Sequence, residues 1–417
     1  MMQSVGRGRQ RRKGNSEAVG GTVTRKERMD KKKRLLVTAS TFPRWENDTE
    51  PGFVLDLASH MTDRFQVTAL VPAALGAKER EILQGVEVIR YHYCPIHKWE
   101  TLCYPGAIVP RIKEKKIRVL LVPLLFLSLS FHLWKLLPSY DIVHAHWLIP
   151  QGIVQSCFHK PYIVTGHGGD VTSLNKGIFR KLKIRCLKRA RRVVVVSEHL
   201  KKKVQKLMPE TAPEVIPMGV DGFKFGKQYY VPDYFGQGDK KVVLFVGRLA
   251  EKKGVTYLIE AMKDIDALLV IAGEGPLREE LERQAEEIKD KVIFLGARPH
   301  HELQVIYASA DIFASPSVTA GDGDQEGLPV VIMEAMASGL PVIASNSGGI
   351  SDLVVSDFNG ILCEEKNARQ LADGIRRLCK DRAFYQKIVT NGFNTIRKYD
   401  YSILAQRYLD ILEELKK

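Results

Sequence analysis

The chain has 417 residues, 45% of them apolar, and a formal net charge of +15. This length is comfortable for two domains, and the composition is that of a soluble protein. Six scattered cysteines (Cys94, Cys103, Cys157, Cys186, Cys363, Cys379) make no CxxC pair, which argues against a zinc site and a disulfide framework and suits a reducing cytoplasm.

The charge is concentrated at the start, where residues 1–34 carry twelve Lys/Arg against three Asp/Glu, a net +9. Almost no large apolar residue occurs in 1–33, so a disordered basic tail is expected. Two readings stand: a solvated extension with a second start at Met29, or a polybasic arm for anionic lipid or nucleic acid. The tail lacks the apolar core of a signal peptide. The rest of the chain shows no basic-aromatic module, so no nucleic-acid partner is expected.

From residue 34 onward, short β-branched runs alternate with longer amphipathic stretches. LLVTAS, VTALVP, VEVIRY, IVHAHW, YIVTGH and VVVVS read as strands in the first half. VVLFVGR, ALLVIAGEG, VIFLG, IFASPS, PVIAS and GILCE read as strands in the second. Their nearly continuous apolar character is that of parallel strands covered on both faces. Stretches such as KKGVTYLIEAMKDI and GPLREELERQAEEIKD between them have helical spacing. The alternation predicts α/β, doubly wound sheets, too many strands for one sheet, hence two Rossmann-like domains over 34–217 and 218–397. The boundary stretch Ile216–Lys241 is rich in Gly, Tyr and Asp and has no period. The helical stretch within 398–417 is left to pack back on the N-terminal domain or against the C-terminal one. Val119–Trp134 is an apolar run of 16 residues, interrupted by Pro123 and preceded by the basic run Arg111–Arg118. It falls short of the ~20 residues that span a bilayer, so a buried or half-buried helix is favoured over an interfacial membrane contact, and a spanning helix is disfavoured.

In open α/β sheets ligands bind at the carboxyl ends of strands. After VVLFV, the turn GRLAEKKG sets Gly247, Arg248 and Lys253 at the start of a helix. An arginine fork and a lysine point charge there suit a diphosphate, and the plainer alternative is a solvated basic turn. After ALLVI, Gly273 and Gly275 in AGEGP form a turn that would let a ligand approach the backbone. This turn is not GxGxxG, so a nicotinamide fingerprint is absent. After YIVT, GHGGD places His167 and Asp170 among three glycines at an open edge. Near the N-terminus, Gly52 precedes a helical pattern and is placed to pass close to a phosphate or sugar. Its neighbours Arg44, Trp45, Glu46 and Asp48 read either as an acceptor pocket or as surface decoration.

EGLPVVIMEAMASGLP (Glu326–Pro341) reads as a loop running into a helix that starts near Pro329 and ends at Gly339. TAGDGDQEG is a polar glycine loop that holds Glu326 and Gly327, LPVVIMEAMASG (Leu328–Gly339) reads as the helix, and Glu334 lies inside it. Free N–H groups at the helix start attract a phosphate, and both carboxylates can face one polyhydroxylated ligand. A structural cap explains Glu326 but leaves Glu334 unexplained in an apolar interior. No His/Cys/Asp cluster has metal-ligand spacing, and a DxD-like match is confined to Asp322 and Asp324.

Together these residues resemble the retaining glycosyltransferases of family 4, which have the GT-B fold: two Rossmann-like domains facing each other across a cleft. The resemblance covers about residues 34–417. It rests on E-x7-E (Glu326, Glu334), the Arg248/Lys253 pair, His167 in HGGD, the AGEGP turn, the ASAD–ASPS run, and IPMGVD, where Met218 replaces the usual asparagine. The loop PRWENDTEPGF, with Gly52 as best match to the family's double glycine, and HAHWLIPQG (His144–Gly152) resemble the exopolysaccharide and lipopolysaccharide branch.

The resemblance implies a donor site in the C-terminal domain. Glu334 would hold ribose hydroxyls, with Gly247, Gly273, Gly275, Gly327, Leu328 and Val330 around the nucleotide sugar. Arg248 and Lys253 would stabilise the departing diphosphate, Glu326 would orient the donor sugar, and His167 would reach it from the N-terminal domain. Gly52 and Asp170 would lie on the acceptor side. It further implies no metal and no cofactor, a nucleotide-diphosphate sugar as co-substrate, a glycan or lipid-linked acceptor, and a cytoplasmic enzyme in peripheral contact with anionic membrane at the inner face of the plasma membrane. Nucleotide-sugar 2-epimerases share the architecture, and a non-catalytic nucleotide-sugar binder is a third reading. The E-x7-E spacing favours transfer over epimerisation, and the intact Arg248, Lys253, Glu326 and Glu334 set argues against a binder.

Overall fold

The computed structural model describes residues 32–106, 108–222 and 224–415. The basic tail expected over 1–33 therefore lies outside the described residues except for its last two, and Lys33 already opens the first strand.

The N-terminal lobe is built on β1 (Lys33–Thr38), β2 (Phe65–Pro72), β3 (Arg80–Leu83), β4 (Val86–Tyr91), β5 (Ile142–His146), β6 (Tyr162–Gly166), β7 (Arg192–Val195) and β8 (Glu214–Val215). Their order is β3-β4-β2-β1-β5-β6-β7-β8, and only β3 runs antiparallel to its neighbour. The C-terminal lobe is built on β9 (Lys241–Val246), β10 (Ala267–Ala272), β11 (Val292–Gly296), β12 (Ile312–Ser315), β13 (Val342–Ser345) and β14 (Ile361–Cys363), all parallel, in the order β11-β10-β9-β12-β13-β14. Central strands are buried on both faces, as at Leu35, Leu36 and Val37 or Leu269, Val270 and Ile271, which is why the sequence shows apolar runs there. The two strands without a sequence signal, REIL and EV, are short and partly polar.

In each lobe the strand order reverses next to the first strand, between β1 and β5 and between β9 and β12. Doubly wound sheets bind ligands at that crevice. The residues following β1, β5, β9 and β12 therefore define where a site can form.

The chain passes between lobes twice, and the two passages touch. The Val220 N–H donates to the Tyr399 carbonyl at 3.0 Å, and Val220 bridges Asp400. Helix Tyr401–Glu414 then packs on the N-terminal lobe. The Tyr408 ring lies 5.1 Å from that of His144, its hydroxyl is 3.4 Å from Thr165 Oγ1, and Arg407 donates to Glu214 at 3.1 Å and to the Val215 carbonyl at 2.9 Å. The apolar run forms helix Leu121–Leu136. Its row Leu125, Leu129 and Leu133 is buried, and Ser128 Oγ donates to the His92 carbonyl at 2.5 Å. With the 3-10 turns on either side the helical stretch runs over Lys116–Ser139, 24 residues, so it is longer than the 16-residue apolar run and reaches the length and composition of a helix that can cross a bilayer.

Candidate active site

The turn after β9 supplies the cations. A short 3-10 turn, Glu251–Lys253, leads through Gly254 into helix Val255–Met262. Lys253 Nζ lies 3.0 Å from Glu326 Oε1, and both side chains are largely buried. Burial opposes the charge on Glu326, but the ammonium groups of Lys253 and Lys252 outweigh it and hold the carboxyl below the ordinary glutamate range. Lys252 also pairs with Asp324 at 3.1 Å. Asp322 pairs with Lys113 of the N-terminal lobe, so lysines occupy both carboxylates of the DxD-like stretch. Among the described residues no group of three or more His, Cys, Asp or Glu is placed to hold a metal ion.

Arg248 does not join Lys253. Its Nη2 crosses to the N-terminal lobe and donates to Glu114 Oε1 at 2.9 Å. Its Nη1 lies so close to Gly106 that a Cβ there would sit 2.5 Å away. Near this contact Glu50 is buried and accepts the Gly106 N–H at 2.8 Å. The pair read from sequence as one diphosphate clamp therefore divides here between Glu326 and the opposite lobe.

Helix Val330–Ala337 carries Glu334. It closes with the Gly339 N–H on the Met336 carbonyl at 3.1 Å and the Leu340 N–H on the Ala335 carbonyl at 3.0 Å, a Schellman arrangement. Glu334 is buried, accepts Tyr307 Oη at 2.8 Å and lies 3.8 Å from His300 Nε2. Burial raises its pKa above the ordinary value, and His300 and the Tyr307 hydroxyl only partly oppose this. The two carboxylates of E-x7-E are thus driven in opposite directions. Leu328 is buried in the core and Val330 is half-buried.

From the other lobe, His167 follows β6, and its Nε2 lies 3.0 Å from Nδ1 of His146 at the end of β5. Its ring is 4.6 Å from that of Trp147 and 5.4 Å from that of Phe53. Trp147 has φ +72°, a left-handed conformation uncommon for a bulky residue. Gly52 caps helix Phe53–Ser59, so it leads directly into this aromatic wall. Burial pushes His167 down to about 3, so the imidazole is neutral at pH 7. The lobes meet at this point: a Cβ on Gly327 would lie 1.9 Å from the His167 carbonyl oxygen.

Asp170, expected on the acceptor side, is turned inward and accepts the N–H groups of Leu148 and Gly168 at 2.8 Å and of His167 at 3.1 Å. Three donors hold its carboxylate, so it shapes the histidine loop. Gly273 and Gly275, expected to admit a ligand, pack against backbone on the side where a Cβ would stand. A Cβ would meet the Gly247 carbonyl oxygen at 1.8 Å and the Leu249 carbonyl oxygen at 2.3 Å, and the Leu249 N–H donates to the Glu274 carbonyl at 2.9 Å. These glycines let two turns pack backbone on backbone. Of the open pair of readings for the first loop, Arg44 and Asp48 satisfy each other through bonds of 2.8 and 2.6 Å.

Sequence reasoning missed His146, Tyr307, His300, Glu114 and Glu50. A signal existed only for His146. It ends a strand adjacent to the one that carries His167, and it pairs in register with Thr165.

Two doubly wound sheets with these groups at their carboxyl ends are the GT-B fold. Residues 53–222 match the family model described as Glycosyltransferase Family 4, and residues 232–395 match the one described as Glycosyl transferases group 1. A glycosyltransferase of Methanocaldococcus jannaschii is 31% identical over 299 residues, covering 66% of this chain and 75% of its own length. The GDP-mannose-dependent alpha-(1-6)-phosphatidylinositol monomannoside mannosyltransferase of Mycolicibacterium smegmatis is 34% identical over 185 residues, 42% of this chain and 48% of that enzyme. Anabaena HepE in complex with UDP and glucose shares the fold with a TM-score of 0.70 and 19% identity, over 92% of this chain and 100% of that one. The chain belongs to glycosyltransferase family 4, and it is a transferase enzyme.

Proposed function

We propose that this enzyme is a retaining glycosyltransferase that moves a sugar from a nucleotide-diphosphate sugar to a glycan or lipid-linked acceptor, in surface polysaccharide or glycolipid synthesis at the inner face of the membrane. The observation that carries this reading is the buried Lys253–Glu326 pair, set between a basic turn and a helix start and touching, through Gly327, the loop of a neutral His167. HepE, which shares the fold, holds UDP and glucose, and the mycobacterial relative uses GDP-mannose on a lipid.

In this reading Glu334, with Tyr307 behind it, accepts ribose hydroxyls. Lys253 faces the diphosphate, where negative charge grows as the glycosidic bond breaks, and Arg248 leaves Glu114 to join it. Fixed cations aimed at developing charge act strongly in a closed, water-poor site, and for this reason we propose metal independence. Glu326 orients the donor sugar, and neutral His167 is available to hydrogen-bond it without adding charge. The acceptor oxygen bonds to the anomeric carbon on the face that the diphosphate leaves, and the acceptor proton passes to the departing diphosphate. Configuration is retained.

The test is to incubate the full chain with a panel of nucleotide sugars and measure diphosphate release with and without a lipid and glycan extract, then assign the product anomer by NMR. Acceptor-dependent release with retained configuration, surviving EDTA, is expected. Inversion would sink the mechanism, and conversion of the donor to its 2-epimer without an acceptor would replace transfer by epimerisation. Donor binding without turnover would leave a binding protein.

A further inference from the structure

Helix Leu121–Leu136 is apolar on both sides. Opposite its buried row, Leu120, Pro123, Leu124, Leu127, Phe131 and Trp134 face water in one stripe, with Leu127 at 68%, Phe131 at 56% and Trp134 at 66% exposure. No Asp, Glu, Lys or Arg occurs between Leu120 and Trp134. A solvated helix normally turns charge outward, so a stripe about 21 Å long made only of apolar side chains calls for a cover.

The charges around the stripe indicate what covers it. Arg111 and Arg118 pair with Glu114, and Lys113 pairs with Asp322. In contrast, Lys115 and Lys116 at one end, Lys135 at the other and Lys98 in the His97–Trp99 turn are exposed and have no ion-pair partner among the described residues. That turn is held to the same region through Thr101, which accepts from Arg111 and Arg118. The N-terminal tail is a poor cover, because residues 1–31 contain no Leu, Ile, Phe, Tyr or Trp and are themselves basic.

We propose that this face docks on an anionic lipid bilayer, with the helix lying in the interface plane and the four lysines at headgroup depth. Trp134 and Phe131 are residue types that settle at that depth, and lysines beside an apolar stripe add electrostatic attraction to it. Docking deepens the proposed reaction by bringing the N-terminal lobe to a lipid-borne acceptor. Binding is measured without turnover, so its failure and the failure of the reaction are separable.

The experiment is co-sedimentation of the full chain with vesicles of neutral phosphatidylcholine or with added phosphatidylglycerol, at low and high salt. Anionic vesicles should bind the chain, and high salt should weaken binding about tenfold or more. The variant L127Q/F131Q/W134Q changes only exposed side chains and should lose about tenfold or more of the partition while its urea unfolding midpoint is unchanged. Brominated lipid should quench wild-type fluorescence, and W134F should remove part of that quenching. The proposal falls if the wild type does not bind, if the triple variant binds as well as wild type (the tail then being the anchor), or if sedimentation equilibrium shows a dimer that the triple variant dissolves without any vesicle binding.

Discussion

Replacing Lys253 by Met keeps the side-chain volume and removes one charge from the buried pair. At 3.0 Å and an effective dielectric of 20 the attraction is about 5 kcal/mol, opposed by the desolvation of both groups. Side-chain exposures of 15% and 10% leave little screening. Removing one partner of such a pair costs about 3–5 kcal/mol, because the other charge stays buried and unpaired. K253M should therefore be destabilised by about that amount in urea unfolding at pH 7, and K253M/E326Q should recover about 2 kcal/mol or more. The pH dependence follows from Glu326. Its pKa is depressed in the native enzyme, so it contributes stability above the ordinary glutamate value and loses it as pH falls through the depressed one. Without Lys253, burial raises this carboxyl, so the gap between wild type and K253M should narrow toward pH 4. Turnover of K253M should fall about 10²-fold or more. A double variant no more stable than the single one, or turnover within threefold of wild type, would refute the reasoning.

Other perturbations test neighbouring contacts. E114Q removes the partner that draws Arg248 across the lobes; the pair is part-exposed and worth about 1 kcal/mol or less, so calorimetry should show unchanged stability but binding of the nucleoside diphosphate that the donor panel selects tightened a few-fold, whereas weakened binding would assign Glu114 to the site. Y307F removes the hydroxyl that Glu334 accepts at 2.8 Å and should raise the donor KM about fivefold with kcat nearly unchanged, while a pure kcat loss would contradict a binding role. Burial holds His144 and His167 down to about 3, and His146 also well below its ordinary value. The unfolded chain therefore takes up protons below pH 6.5 that the folded chain refuses, and stability should fall with pH by about 1.4 kcal/mol per unit for each histidine; a flat urea midpoint from pH 6 to 4.5 would show that they are not buried and neutral.

The strands and their ends were legible because parallel strands buried on both faces write themselves as apolar runs, and because the polar and glycine-rich turns of the candidate site follow such strands directly. Glu326 and Lys253 could be singled out for the same reason. Their pairing could not, since it joins residues on different strand-end loops. Arg248 and Glu114 lie even further apart in the chain and meet only because the lobes face each other. Tyr307 reads as a helical core residue until Glu334 packs against it. The AGEGP glycines are two-sided in sequence because a close approach by backbone and a close approach by ligand demand the same missing Cβ. The three backbone donors on Asp170 were not legible either, since a polar residue in a glycine turn can face either way. The apolar run was ambiguous in sequence because both faces are apolar, and only the packing reveals which one is spent.

The helix Tyr401–Glu414 belongs spatially to a sheet whose last strand, Glu214–Val215, ends roughly 185 residues earlier. On the ribosome the first lobe must therefore wait through synthesis of the entire second lobe, about 10–40 s at usual elongation rates, before Tyr408 can cover His144 and Thr165. A nascent or prematurely terminated chain has no finished N-terminal lobe, however complete its strands are. The helix Tyr401–Glu414 thus serves as a late check on a lobe made long before it, and a truncation that removes this helix will act on the opposite half of the molecule.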